Sequence, residues 1–155
     1  MAATQSLLSD GAERQRLCER LKALTSASPR QWGKMTPHQM LCHLNDSYAA
    51  MMDGRPLGSR ANLFNRTLVR WIAIHSGMQW PKGVKTMPAV DQEQGGTPPV
   101  AFEIDRAALL ASIEQFAAKT DRDLHAHPIF GPLTTWEWQR WGWLHADHHL
   151  RQFGL

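Results

Sequence analysis

Two four-residue stretches, TPHQ at 36–39 and TTWE at 134–137, carry the reciprocal start signal of an α-helix, and each opens a long run with apolar residues at helical spacing. In the first, Thr36 takes the N-cap, Pro37 the first helical position, and Gln39 completes a capping box. In the second, Thr134 and Glu137 form the box, and Gly142 is the only breaker in the twenty residues 134–153. Two helices with fixed starts oblige the rest of the chain to cover their apolar sides.

The covering elements read as further helices. From about Ser9 to Leu24, Leu17, Leu21 and Leu24 form one stripe, with Arg and Glu elsewhere. The stretch SASPRQWGK then breaks the pattern at Pro29 and Gly33. The helix begun at Thr36 ends at Gly54, before Pro56, and gathers Met40, Leu44, Ser47 and Met51 on one half of its circumference, with His43 among them. In FEIDRAALLASIEQFAAK, Asp105 is expected to cap a helix whose buried stripe is Leu109, Ile113 and Phe116 or Ala117.

Between the second helix and this one, NLFNRTLVRWIAIHSG places Phe64, Leu68, Trp71, Ile72 and His75 at helical spacing. The run is far shorter than the ~20 apolar residues that span a bilayer and carries Arg66 and Arg70, so it is expected to be a packed or lid helix rather than a membrane anchor. Met78 to Pro99, with four prolines and three glycines, reads as a long irregular crossover. No segment has a convincing strand pattern. The expected fold is all-α: a four-helix bundle with a long crossover carrying a short extra helix, one domain over residues 1–155.

Composition narrows the function classes. The chain is 43% hydrophobic and 20% charged, ordinary for a folded domain. Its net charge of +3 comes from arginines and lysines interleaved with acids and apolar residues, which gives no footprint for nucleic acid. The opening MAATQSLLSDGAERQ lacks a secretory pattern, so the expected location is cytoplasmic. Cys18 and Cys42 fit no CxxC pattern and read as reduced, buried thiols.

Chemistry concentrates in LHADHHLRQFGL. Residues four apart on a helix share a face, with Cβ atoms ~5–6 Å apart, so His145 and His149 can aim at one ion. With eight histidines in the chain, the spacing alone carries little weight. It gains weight because the pair continues the stripe of Trp138 and Trp141 toward the interior, where uncompensated imidazoles are costly, and because His43 offers an inward-facing nitrogen on another helix. His148 is turned about 100° from His149, which leaves it a rim or supporting role. Trp141, one turn before His145, is a candidate pocket wall, and the other tryptophans read as packing residues. Asp147 and Asp46 are expected to face solvent, although Asp46 lies close enough to His43 to orient it. His38, His75, His125 and His127 read as surface or structural residues, with His127 a further candidate for a pocket mouth.

WGKMTPHQMLCHL, HPIFGPLT and EWQRWGWLHADHHLRQF together resemble the DinB-like superfamily of small bacterial metalloproteins, within a subgroup described as a domain of unknown function. The resemblance runs from the first helix to the last. It implies an up-down-down-up bundle, often dimeric, with a divalent ion held by one histidine of the second helix and a His-xxx-His pair of the last. By position these are His43, His145 and His149, the last followed by a basic residue and glutamine as in the family, here Arg151 and Gln152. The chain ends soon after, so this turn needs metal or packing against fraying.

Three neutral imidazoles leave a bound dication strongly electrophilic, with a position open to water or a thiol. Some relatives are thiol transferases using low-molecular-weight thiols. The leading expectation is therefore a metal-dependent thiol transferase or hydrolase, with a divalent transition metal (Zn, Ni or Fe), a small-molecule substrate such as a low-molecular-weight thiol, and no nucleic-acid or membrane partner. A homodimer is also among the expected partners. The alternatives are a non-catalytic stress-response or binding module with a structural metal, and a metal-free bundle that associates through the Trp71 helix.

Overall fold

A computed structural model describes residues 5–155; residues 1–4, part of the stretch read above for a targeting signal, lie outside it. Four α-helices carry the core: α1 (Gly11–Ala23), α2 (Pro37–Asp53), α3 (Phe102–Ala117) and α4 (Thr135–Arg151). The longest contact runs between α2 and α3, and α4 touches each of the other three. Among the described residues the fold is all-α; the single β-bridge, His127 to Gly131, closes a loop. No helix there is long and apolar enough to cross a membrane.

Both capping boxes form as expected. Thr36 accepts from the Gln39 amide while the Gln39 side chain accepts from the Thr36 amide, and Thr134 and Glu137 repeat the arrangement. Gly54 closes α2 in the left-handed region, at φ 71°, beneath the His125 imidazole. Helix α1, expected from about Ser9, begins at Gly11 with Asp10 as its cap, accepting from the amides of Ala12 and Glu13. Leu17 and Leu21 of α1, Met40, Leu44 and Met51 of α2, Leu109, Ile113 and Phe116 of α3, and Trp138, Trp141 and Leu150 of α4 share one core.

The start of α3 departs from expectation. The helix begins at Phe102 after Ala101, and Asp105 sits inside its first turn rather than at its cap. Its carboxylate instead reaches back to the amides of Val100 and Ala101, at 3.1 and 3.3 Å, and ties the approach of the chain to the first turn of the helix.

The run 63–76 departs further. It is not a packed α-helix but two consecutive π-helical turns, Asn65–Val69 and Trp71–His75. Bonding five residues apart widens each turn and rotates the side chains away from a 3.6-residue stripe. Ile74 is buried and Val69 and Ala73 lean on the core, while Leu63, Phe64, Leu68 and Trp71 stand exposed, at 80%, 59%, 48% and 57%. The segment is moored by Arg70, whose guanidinium pairs with the buried Glu137 of α4, and by His75, which also contacts Glu137 at 3.0 Å. The crossover beyond it is irregular as expected, broken only by a short 3-10 turn at Pro88–Val90.

Candidate metal centre

Helix α2 delivers His43 and helix α4 delivers His145 and His149 to one buried point. The Nε2 atoms of His43 and His149 each lie 3.2 Å from Nε2 of His145, and one ligand atom from each ring falls within 4.8 Å of the others. Two nitrogens bound tetrahedrally at ~2.0–2.1 Å from one ion stand about 3.3 Å apart, so these separations match a shared cation.

The outer nitrogens determine what faces that point. His43 Nδ1 lies 2.7 Å from the Val90 carbonyl, which can only accept, so the proton sits on Nδ1 and the Nε2 lone pair points inward. His149 Nδ1 donates in the same way to Oε1 of Gln152, at 2.7 Å. His145 Nδ1 is buried without a partner. Two fixed lone pairs therefore face a third ring that can offer a single proton, whereas a cation satisfies all three Nε2 atoms together. The donor set fits a divalent transition metal, and its residues could hold one.

Electrostatics keeps the rings in the ligand form. Burial lowers the pKa of His43, against the raising effect of the Val90 carbonyl, and burial and neighbouring imidazoles hold His145 and His149 well below the ordinary value. All three are neutral at neutral pH.

A groove of about 370 Å³ reaches the centre, with His148, His149 and Gln152 on one side, Lys34 and Met35 on another, and crossover residues 83–94 on a third. His148 is buried beside it, edge-on to Trp32, and burial pushes it down to about 4. Trp141 does not line this groove: it packs behind His145, with ring centroids 5.0 Å apart, and against Tyr48 and Trp138. Trp80 of the crossover covers the other side of the site, about 6 Å from both His145 and His148, with its Nε1 donating to the Ala73 carbonyl.

Two expectations about acids are corrected. Asp46 is buried, not solvating, and makes no hydrogen bond to His43; it binds the crossover instead. Asp147 is largely shielded, since Arg20 at 2.8 Å and Arg151 at 2.9 Å clamp its two oxygens. Arg20 also holds the carbonyl of Leu155, the Gln31 amide donates to the Gln152 carbonyl at 2.6 Å, and Phe153 is buried, so packing holds the last turn in place.

Among the other histidines, His127 is buried, stacked on Phe130, and its Nδ1 accepts from the amides of Ile129 and Phe130. It has the structural role expected and also lines a second groove, between the loops at 54–61 and 125–132. His38, Cys42 and Asp105 form a second group close enough to hold an ion. There Asp105 already accepts from His38 at 2.6 Å and from two backbone amides, and burial with the nearby carboxylate pushes the Cys42 thiol up to about 12. That group is a hydrogen-bonded knot between α2 and α3, and both cysteines are free thiols as expected.

Sequence reasoning missed the Val90 carbonyl, the Gln152 acceptor, Trp32 and Trp80. Gln152 alone left a signal, since a residue three after His149 lies on its face of the helix. Val90, Trp32 and Trp80 come from irregular segments whose path no periodicity encodes.

A model of a family described as "Protein of unknown function (DUF1569)" matches residues 7–154. No curated protein matches, and no solved structure matches.

Proposed function

The chain belongs to that family, whose function is unknown, and we propose that it is a metal-dependent enzyme, a thiol S-transferase or a hydrolase, in which His43, His145 and His149 hold one divalent transition metal. The observation that carries this reading is the convergence of three neutral imidazoles, with the Nε2 atoms of His43 and His149 each 3.2 Å from that of His145 and fixed as lone-pair donors by Val90 and Gln152. When bound, such an ion supplies an electrophilic centre able to activate water or lower the pKa of a thiol.

The chain's own residues fix what else the site does. Val90 and Gln152 keep the donor nitrogens turned inward, and Trp80 shields His145 from bulk water. The groove beside His148 and His149 admits a small molecule, and a low-molecular-weight thiol is the substrate class proposed for it. We further place the chain as one domain in the DinB-like superfamily, as an up-down-down-up four-helix bundle of bacterial, cytoplasmic origin. A homodimer would cover the exposed Leu63, Phe64, Leu68 and Trp71.

One observation favours a second reading, a binding or stress-response module with a structural metal. Among the described residues no carboxylate joins the three rings, and Asp46, Asp147 and Glu137 are each committed to other partners. The readings separate on natively purified protein. Turnover of thiol and electrophile pairs, or of hydrolysable esters and amides, that is lost on chelation and restored by metal supports the enzyme. Metal whose removal melts the fold, with no turnover across the screen, supports the structural module.

A further inference from the structure

One carboxylate ties down the crossover that supplies both a wall of the groove and the acceptor for His43. Asp46 lies on α2 one turn after His43 and is 3% exposed. Its Oδ2 accepts from Gln92 Nε2 at 3.0 Å and from the Thr97 amide at 2.7 Å; its Oδ1 accepts from the Thr97 hydroxyl at 2.7 Å. Arg55 approaches the same oxygen at 3.4 Å and donates to the Asp46 carbonyl at 3.0 Å.

The segment that Asp46 holds is compact. The amides of Gly95 and Gly96 fold back onto the carbonyls of Pro88 and Asp91, each at 2.9 Å. A Cβ on Gly96 would stand 2.9 Å from the Asp91 carbonyl carbon, so the turn could not keep this path with a side chain there, and one on Gly95 would press on the Pro88 oxygen at 3.0 Å. Residues 88–97 thus behave as one unit, and the same unit carries the Val90 carbonyl that accepts the hydrogen bond from His43 Nδ1–H. Helix α2 grips it at two points one turn apart, His43 and Asp46.

We propose that Asp46 is a positioning residue of the metal centre: by anchoring residues 88–97 it sets the Val90 carbonyl where His43 must carry its proton on Nδ1 and turn Nε2 toward His145 and His149. This rests on reading the three imidazoles as ligands. A buried carboxylate that accepts three close bonds is an anchor, because releasing those donors would leave its own buried oxygens unpaired. Groups that orient a ligating imidazole typically change metal affinity by about 10–100-fold when removed.

The test compares wild type, Asp46→Ala and Asp46→Asn, with Glu137→Gln as a control that weakens a remote anchor. Zn²⁺ affinity is measured by competition with a chromogenic chelator, and the His43 tautomer by long-range ¹H–¹⁵N spectra of the metal-free protein. Asp46→Ala is expected to lose about 10–100-fold in Zn²⁺ affinity and to show His43 leaving the Nδ1–H form. Asp46→Asn, which keeps an acceptor for Thr97, recovers part of both, and the control keeps wild-type affinity and tautomer. If Asp46→Ala does not fold, Thr97→Val with Gln92→Ala removes two of the same bonds and shifts both readouts in the same direction by less. An unchanged tautomer together with an affinity equal to the control's overturns the role of Asp46. A wild type that takes up no Zn²⁺ overturns the functional reading instead, and the tautomer in the metal-free variants still decides whether Asp46 positions His43.

Discussion

Lowering the pH should unfold this protein partly through one histidine outside the metal centre. His127 is buried, and burial pushes its pKa from 6.5 down to about 3. The geometry supplies a second cause: its Nδ1 accepts from the amides of Ile129 at 3.1 Å and Phe130 at 3.2 Å, so a proton placed there displaces both. Because the folded value lies below the unfolded one, the unfolded chain binds the proton first. The stabilising contribution is complete above about pH 6.5 and is lost as the pH falls toward 3.

At ~1.36 kcal/mol per pH step for one proton, the loss between pH 7 and pH 4 is about 3 kcal/mol. That is a large part of the ~5–15 kcal/mol that holds a domain together. His127→Asn isolates this contribution, since an asparagine oxygen can accept from the amide two residues on but does not titrate. Urea unfolding of metal-free protein at pH 7, 5.5 and 4 should show the variant less stable at pH 7, with the gap to wild type closing by about 3 kcal/mol at pH 4. Parallel stability curves would refute the reasoning, because the remaining histidines titrate in both proteins.

Two other outcomes follow from single contacts. Gln152→Leu removes the acceptor of His149 Nδ1 and should weaken Zn²⁺ binding by about 10–100-fold while the helical circular dichroism stays as in wild type. Gly142→Ala puts a Cβ 2.6 Å from Leu8 Cδ1 and 3.1 Å from Phe116 Cε1. Overpacking at ~1–3 kcal/mol outweighs the ~1 kcal/mol gain in helix propensity, so the urea midpoint should fall rather than rise.

The parts of the fold legible in the sequence are those with local chemistry. Thr36, Pro37 and Gln39, Thr134 and Glu137, and Gly54 each encode a helix end through bonds made within four residues, and the leucine stripes of α1 and α3 report the faces that pack. The His145/His149 spacing is legible for the same reason. The 63–76 run is helical as its spacing suggests, but a 3.6-residue period cannot distinguish α from π winding, and the winding decides that Ile74 is buried while Trp71 is exposed. Asp46 and Asp147 looked like solvent-facing acids because their partners lie far along the chain, at Thr97 and Arg20. The acceptor of His43 is a backbone carbonyl in an irregular crossover, and a carbonyl leaves no mark in a residue pattern.

The central claim is that three imidazoles from two helices share one cation. It is tested most directly by calorimetric titration of metal-free protein with Zn²⁺, beside His43→Ala, His145→Ala and His149→Ala. The account predicts uptake of about one ion per chain, abolished by each substitution with helical content retained. No stoichiometric uptake, or uptake indifferent to all three substitutions, would contradict it.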